Sequence, residues 1–88
     1  MNEKSLKDFL MVSDEYEKID EVKLNISKII QERIQENGLS IKKTAKHING
    51  MGPAQVSRVL HGENYNIQTL IKILDYLDLE LIIQKKSS

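Results

Sequence analysis

The chain has 88 residues, no cysteine, and 13 Lys or Arg balanced by 13 Asp or Glu. This length allows one small domain with a short extension, and the lack of cysteine excludes a disulfide framework and a thiolate metal site. The N-terminus lacks the basic start and apolar run of a signal peptide, and no apolar run approaches the length of a membrane span. We therefore expect a cytoplasmic protein.

The charges are unevenly distributed along the chain. Residues 1–22 hold seven Asp or Glu against three Lys, whereas the remaining residues hold ten Lys or Arg against six Asp or Glu. This asymmetry favours two surfaces with different partners. Ordinary scatter in a chain with 30% charged residues would give the same split, so both interpretations stay open at this point.

Residues 1–20 are predicted to form an acidic N-terminal arm. Leu6, Phe9 and Leu10 are spaced i, i+3 and i+4, which favours one or two helical turns. Together with Tyr16 they are candidates for binding a partner, and the alternative is that they pack on the protein's own core. The acidic surroundings would suit a basic partner.

A first regular helix is predicted to begin near Asp20, which can act as the N-cap, and to end at Asn37 and Gly38. Its apolar residues repeat with helical spacing. They are Val22, Ile26, Ile29, Ile30 and Ile34.

Two short helices are predicted next, joined by a glycine-containing turn at residues 49–52. The first begins after Ser40 and the second begins at Pro53, because proline suits the first helical position. The second ends at Gly62. Their predicted inner faces are Ile41, Ala45 and Ile48 in the first helix, and Val56, Val59 and Leu60 in the second.

A fourth helix is predicted from about residue 67 to residue 77, with one apolar stripe. This stripe consists of Ile67, Leu70, Ile71, Leu74 and Leu77. The branched residues of the segment 79–84 then favour a short strand. A lone strand needs a partner strand, so Leu81, Ile82 and Ile83 are candidate dimerisation residues, and the alternative is a tail that packs on the core.

The outer face of the second short helix carries side chains that suit contacts with base edges. Arginine can bond guanine in two places, glutamine can do so with adenine, and alanine can touch a thymine methyl group. The candidate base-reading residues are Pro53, Ala54, Gln55, Ser57 and Arg58. The candidate phosphate-binding residues are Ser40, Lys42, Lys43, Lys46, His61, Asn64 and Asn66. His61 can equally serve only as a group at the helix end.

The stretch LSIKKTAKHINGMGPAQVSRVLHGE resembles the Cro and lambda-repressor type of helix-turn-helix, the XRE family. The matching positions are Leu39, Ser40, Ala45, Gly50, Val56, Ser57, Arg58 and Gly62. Residues 66–77 resemble the helix that follows in that family, so the resemblance covers about residues 22–84. The chain departs from the family at Ile41 and Lys43, where Gln and an acidic or amide residue are usual. It is also one residue longer between Ala45 and Val56, and the turn is expected to absorb that residue.

The resemblance implies an all-α fold: a four- to five-helix lambda-repressor-like DNA-binding domain with a short C-terminal β-strand. The implied organisation is an arm at 1–20, a DNA-binding domain at 21–79, and a C-terminal strand and tail at 80–88. The subgroup most similar to this chain contains HigA-type antitoxins, which repress their own operon and neutralise a RelE/HigB-like ribonuclease toxin. The resemblance therefore implies a homodimeric repressor that binds double-stranded DNA at an inverted repeat, with a basic ribonuclease toxin as a second partner. The alternatives are a stand-alone phage or plasmid repressor and a protein–protein adaptor that does not bind DNA.

Enzymatic activity is not expected. The sequence has no nucleophile elbow, no phosphate-binding glycine loop and no cluster of metal ligands. His47 and His61 are far apart in sequence and lack a thiolate partner, so we expect neither a zinc site nor any other cofactor.

Overall fold

The structure, a computed structural model, describes residues 14–86. Four helices follow one another in this part of the chain: α1 (Asp14–Glu36), α2 (Ile41–Lys46), α3 (Pro53–Leu60) and α4 (Ile67–Tyr76). Within residues 14–86 there is no strand, so the predicted all-α class is confirmed for them. None of the described helices is both long enough and apolar enough to cross a membrane.

Local sequence signals fix where three of the helices begin. The Ser40 side chain accepts a hydrogen bond from the Lys43 backbone N–H at 3.1 Å, and the Asn66 side chain accepts one from the Thr69 backbone N–H at 2.8 Å. Pro53 stands in the first turn of α3, where its missing N–H has no helical partner to lose. The predicted starts of α2, α3 and α4 are therefore confirmed.

The apolar core lies where the four helices meet. Each helix contributes at least one side chain with almost no exposure, such as Ile30 of α1, Ala45 of α2, Val59 of α3 and Ile73 of α4. Burial of apolar surface is the main force that holds so small a domain together. Among residues 15–86 the buried apolar side chains are Ile30, Ile34, Ala45, Ile48, Val56, Val59, Leu60, Leu70, Ile73, Leu74 and Leu77.

Helix α1 also holds the other helices through polar bonds. Three of its side chains donate to carbonyl oxygens at the carboxyl ends of α3 and α4, which have no partner within their own helices. The bonds join Ser27 Oγ to Val59 O at 2.8 Å, Gln31 Nε2 to Leu60 O at 3.3 Å, and Arg33 Nε to Leu77 O at 2.9 Å. The first two bonds fix the position of α3 against α1, and the third fixes the end of α4 against it.

The predicted start of the first helix is wrong. Helix α1 begins at Asp14, so Asp20 lies inside it and the boundary drawn between residues 20 and 21 falls within a continuous helix. The physical reason is that residues 14–20 contain no glycine or proline and are rich in Glu and Lys, which have high helix propensity.

The predicted C-terminal strand is not formed. Residues 79–86 have no regular secondary structure. A strand needs a neighbouring strand to bond its backbone, and no described segment of this chain supplies one. Leu81, Ile82 and Ile83 are consequently exposed, by 42%, 63% and 89%.

Candidate nucleic-acid interface

Helices α2 and α3 form a helix pair around small and branched side chains. Ala45 of α2 is 2% exposed and Val56 of α3 is fully buried. The turn between the helices contains Gly50 at a φ of +73°, a backbone conformation that favours glycine. The buried hydroxyl of Thr44 donates to the Ser40 carbonyl at 2.8 Å, so no polar group of this side chain is left unpaired inside the pair.

Helix α3 buries one face and presents the other to solvent. Val56, Val59 and Leu60 are buried. Of the five residues predicted to read bases, Pro53, Ala54 and Arg58 are exposed, whereas Gln55 and Ser57 are half-buried. The structure thus brings all five onto one short helix, where Pro53, Ala54 and Arg58 are exposed.

Gln55 already holds a backbone group. Its Oε1 accepts a hydrogen bond from the Gly52 N–H at 2.9 Å, which satisfies one of the unpaired donors at the start of α3. A two-point contact with adenine would need this same oxygen to accept from the base. The side-chain NH₂ therefore remains as the group best placed to contact DNA, as a donor.

His61 is held at the carboxyl end of α3. Its Nδ1 lies 2.8 Å from the Ser57 carbonyl oxygen and 3.1 Å from Ser57 Oγ. A carbonyl only accepts hydrogen bonds, so Nδ1 carries a proton and the neutral ring has an acceptor at Nε2. A phosphate contact through Nε2 would require the doubly protonated ring.

Three lysines stand on one side of α3. Lys42, Lys43 and Lys46 are exposed on α2, and they line a shallow cavity of about 320 Å³ together with Met51 and Pro53. Residues 37–62 contain four Lys or Arg and no Asp or Glu. The helix pair is therefore locally cationic although the net charge of the chain is zero.

A second cavity, of about 390 Å³, lies on the other side of α3. Its lining comes from α3, the following loop and the first turn of α4. The residues are Gln55, Arg58, Asn64, Tyr65, Asn66 and Thr69. The structure thus brings Arg58 next to the predicted phosphate-binding residues Asn64 and Asn66.

The two asparagines in this second cavity already have partners. Asn66 Oδ1 accepts from both the backbone N–H and the hydroxyl of Thr69, at 2.8 and 2.9 Å. Asn64 Oδ1 accepts from Lys23 Nζ at 3.3 Å. Burial raises the pKa of the Tyr65 hydroxyl above its ordinary value, so this group stays protonated at neutral pH and can donate.

Sequence reasoning did not single out Thr69 and Lys23 for this site. Thr69 could have been found, because it occupies the third helical position after the Asn66 cap. Lys23 lies 41 residues before its partner Asn64 and carries no such signal. Ser40, predicted to bind phosphate, is the N-cap of α2.

The predicted partner-binding residues are only partly described. Leu6, Phe9 and Leu10 lie outside the described residues. Tyr16 lies in the first turns of α1 and is 61% exposed.

Comparison with known proteins supports the assignment of α2 and α3 as a helix-turn-helix. A helix-turn-helix family matches residues 29–83, from the middle of α1 to beyond α4. No curated protein showed a significant match to the chain. The matched family is one of sequence-specific DNA-binding regulators rather than of enzymes. Because the match spans more than half of the 88 residues, this chain belongs to the XRE-type helix-turn-helix family.

Proposed function

We propose that this chain is a transcriptional repressor that binds an inverted repeat in double-stranded DNA as a homodimer, with α3 in the major groove. The observation that carries the proposal is the outer face of α3, where Ala54 and Arg58 are exposed, with the three α2 lysines on one side and Asn64, Tyr65 and Asn66 on the other. Arg58 can bond guanine in two places and Ala54 can touch a thymine methyl group. Gln55 and Ser57 lie at the edges of this face and add single hydrogen bonds.

The groups on either side of α3 bind the DNA backbone in this proposal. Lys42, Lys43 and Lys46 neutralise phosphates on the α2 side, and the side chains of Asn64 and Tyr65 donate to a phosphate on the α4 side. Such contacts fix the orientation of a reading helix without reading sequence themselves. Ser40 and Asn66 contribute indirectly. As N-cap residues they hold the first turns of α2 and α4 in place.

Dimeric binding follows from the size of the domain and the geometry of DNA. One α3 reads only a few base pairs, and two copies related by a two-fold axis read an inverted repeat with half-sites about one helical turn apart. A chain of this size also buries a thin core, which a second copy would extend.

A narrower proposal is that the repressor is the antitoxin of a type II toxin–antitoxin pair and neutralises a RelE/HigB-like ribonuclease. Two features support it: the resemblance of the helix-turn-helix, and the excess of seven acidic over three basic residues in residues 1–22, which suits a basic partner. Deletion of residues 1–13, which leaves α1 intact, should then abolish toxin neutralisation and spare DNA binding. Neutralisation that survives this deletion would contradict the assignment of Leu6, Phe9 and Leu10.

The repressor proposal is tested by a mobility shift with the DNA immediately upstream of this gene, against unrelated DNA of equal length. We expect a specific shift and a footprint with two symmetric half-sites. A folded protein that shifts both DNAs equally, or neither, would contradict the proposal.

A further inference from the structure

An exposed apolar strip runs along α1 and the adjoining side of α4. On α1, Ile19, Val22 and Ile29 are 42%, 56% and 52% exposed, and on α4, Ile67 and Ile71 are 65% and 45% exposed. A groove of about 460 Å³ lies between the two helices. A monomer rarely exposes so many large apolar side chains side by side. We call these five residues together with Ile26 the α1–α4 strip.

We propose that a second copy of this chain docks on the α1–α4 strip, with the two α1 helices antiparallel and the two-fold axis passing near Asn25. The proposal assigns a surface to the dimer, and it rests on the dimeric DNA binding proposed above. It replaces the predicted pairing of C-terminal strands as the main contact.

Two exposed apolar residues of α1 flank this point at nearly equal distances. Val22 and Ile29 lie three residues before and four residues after Asn25, on the same side of the helix. In an antiparallel pair, Val22 of one copy therefore packs on Ile29 of the other, and this contact occurs twice.

The charges show the same symmetry. Lys18 and Glu32 each lie seven residues from Asn25, which is about two helical turns, so all three share one flank of α1. A two-fold axis at Asn25 sets each Lys18 against Glu32 of the second copy. Asn25 is exposed and meets its own counterpart, where one amide can donate to the other.

This symmetry favours a second copy over any other occupant of the strip. An unrelated partner, or the N-terminal residues of the same chain, would give no reason for Lys18 and Glu32 to lie at equal distances from Asn25 with Val22 and Ile29 on either side of it. An isologous interface requires such self-complementarity, because the same patch is used by both copies.

The docked copy leaves the reading helix uncovered. Ser27 and Gln31 are the α1 side chains that bond α3, and they lie roughly 100–160° around the helix axis from Ile26 and Ile29. The strip and the outer face of α3 are therefore available at the same time. A groove that contains Ile26 and Ile29 continues from the strip to Leu81, so this one of the predicted dimerisation residues lies beside it.

Sedimentation velocity of the full chain over a range of concentrations tests the proposal. We expect a dimer for the wild type and a monomer for the double variant Val22→Glu, Ile29→Glu, with circular dichroism confirming that both remain helical. Leu24→Glu is the matched control, because Leu24 is 73% exposed on the opposite side of α1 and its replacement should leave the dimer intact.

Reversal of the charges on Lys18 and Glu32 tests the position of the two-fold axis. Lys18→Glu and Glu32→Lys should each weaken the dimer by about tenfold, since two repulsive pairs replace two ion pairs, and the two changes combined should restore it. A monomeric wild type, an unaffected Val22→Glu, Ile29→Glu variant, or no restoration would overturn the proposal. Association that appears only after removal of residues 1–13 would also overturn it, because these residues would then occupy the strip.

Titration of a single half-site duplex separates this proposal from the proposed function. Sequence-specific binding to the half-site by a monomeric wild type would reject the strip as a dimer surface and leave DNA reading in place. Loss of all sequence preference in a protein that still forms the dimer would reject DNA reading alone.

Discussion

Gln55 serves both the stability of α3 and its outer face. Helical periodicity predicts that it lies at the edge of the reading face, and the structure agrees. The bond that it accepts from the Gly52 N–H was not predicted, because a glutamine at the third helical position is free either to cap the helix or to extend into solvent. Its polar chemistry could be read from the sequence, but its partner could not.

The two roles of Gln55 can be separated by substitution. Gln55→Glu keeps an acceptor for the Gly52 N–H and places a negative charge near the start of α3, so the free energy of unfolding should stay equal or rise by about 0.5 kcal/mol. The same charge repels phosphates, so DNA affinity should fall for every sequence. Gln55→Ala should instead lower the free energy of unfolding by about 1 kcal/mol in a urea titration. If Gln55→Glu binds DNA as tightly as the wild type, Gln55 does not lie against the DNA.

Ser27 is the polar residue whose removal should disturb the position of α3 most. It is 5% exposed, and its hydroxyl donates to the Val59 carbonyl at 2.8 Å. Ser27→Ala should lower the free energy of unfolding by about 1 kcal/mol, measured by urea denaturation, because a buried bond is lost. Gln31→Ala is the control: its bond is longer and partly solvated, so its loss should cost under about 0.5 kcal/mol. Equal effects would show that burial does not decide the cost.

At the scale of the helices, the sequence predicts well those helix N-termini that carry a side-chain cap or a proline. The start of α1 was missed because Asp20 looks like a cap and only the unbroken run of helix formers before it argues otherwise. The apolar stripes predicted for the first and fourth helices are wider than the faces that α1 and α4 bury. Val22, Ile29, Ile67 and Ile71 fit helical spacing but remain exposed, because spacing alone does not tell which side of a wide apolar stripe meets the core.

The C-terminal strand was mispredicted for a different reason. β-branched composition favours a strand only where a second strand is available, and that depends on the rest of the fold. The chain leaves α4 through Asp78 at a φ of +59°, and the Leu79 N–H bonds back to the Leu74 carbonyl at 2.8 Å. Local bonding at the helix end therefore sets the path of this segment.

The turn between α2 and α3 offers a test of backbone conformation. Gly50 has a φ of +73° and Gly52 has a φ of −100°, and a Cβ at either position would meet no atom within 4 Å. Gly50→Ala should lower the free energy of unfolding by about 1–2 kcal/mol, because an L residue is strained at positive φ. Gly52→Ala should change it by less than about 0.5 kcal/mol, since the weaker cap offsets the reduced entropy of the unfolded chain. Equal costs in thermal unfolding would mean that φ does not govern this turn.

At the scale of the whole molecule, the net charge does not reveal a local excess of cationic side chains in α2 and α3. The net charge is zero, yet residues 37–62 carry four cationic side chains and no acidic one. Composition alone argues against nucleic acid, and only the order of the charges along the chain indicates a cationic face. What the sequence could not show is that Lys42, Lys43 and Lys46 lie on one side of α3 and Asn64 on the other.

The phosphate role of the α2 lysines predicts a uniform loss of affinity. Lys43→Ala should weaken binding to operator and unrelated duplexes by the same factor, and it should reduce the slope of log affinity against log salt by about one. Lys72→Ala is the control, because Lys72 lines a cavity with His47 and Tyr76 rather than one beside Arg58 or Pro53. A change in base preference for Lys43→Ala would show that this lysine reads bases instead.

Helix α3 reads DNA through Arg58 in the proposed function. Fluorescence anisotropy titrations of the wild type and Arg58→Ala measure what this side chain contributes to DNA affinity and to base preference. Both proteins are titrated against the footprinted operator and against duplexes with single base-pair changes. We expect that Arg58→Ala loses about 1–3 kcal/mol of binding to the operator, keeps its affinity for unrelated DNA, and no longer distinguishes one base pair in each half-site. Equal binding of the two proteins to every duplex would contradict it.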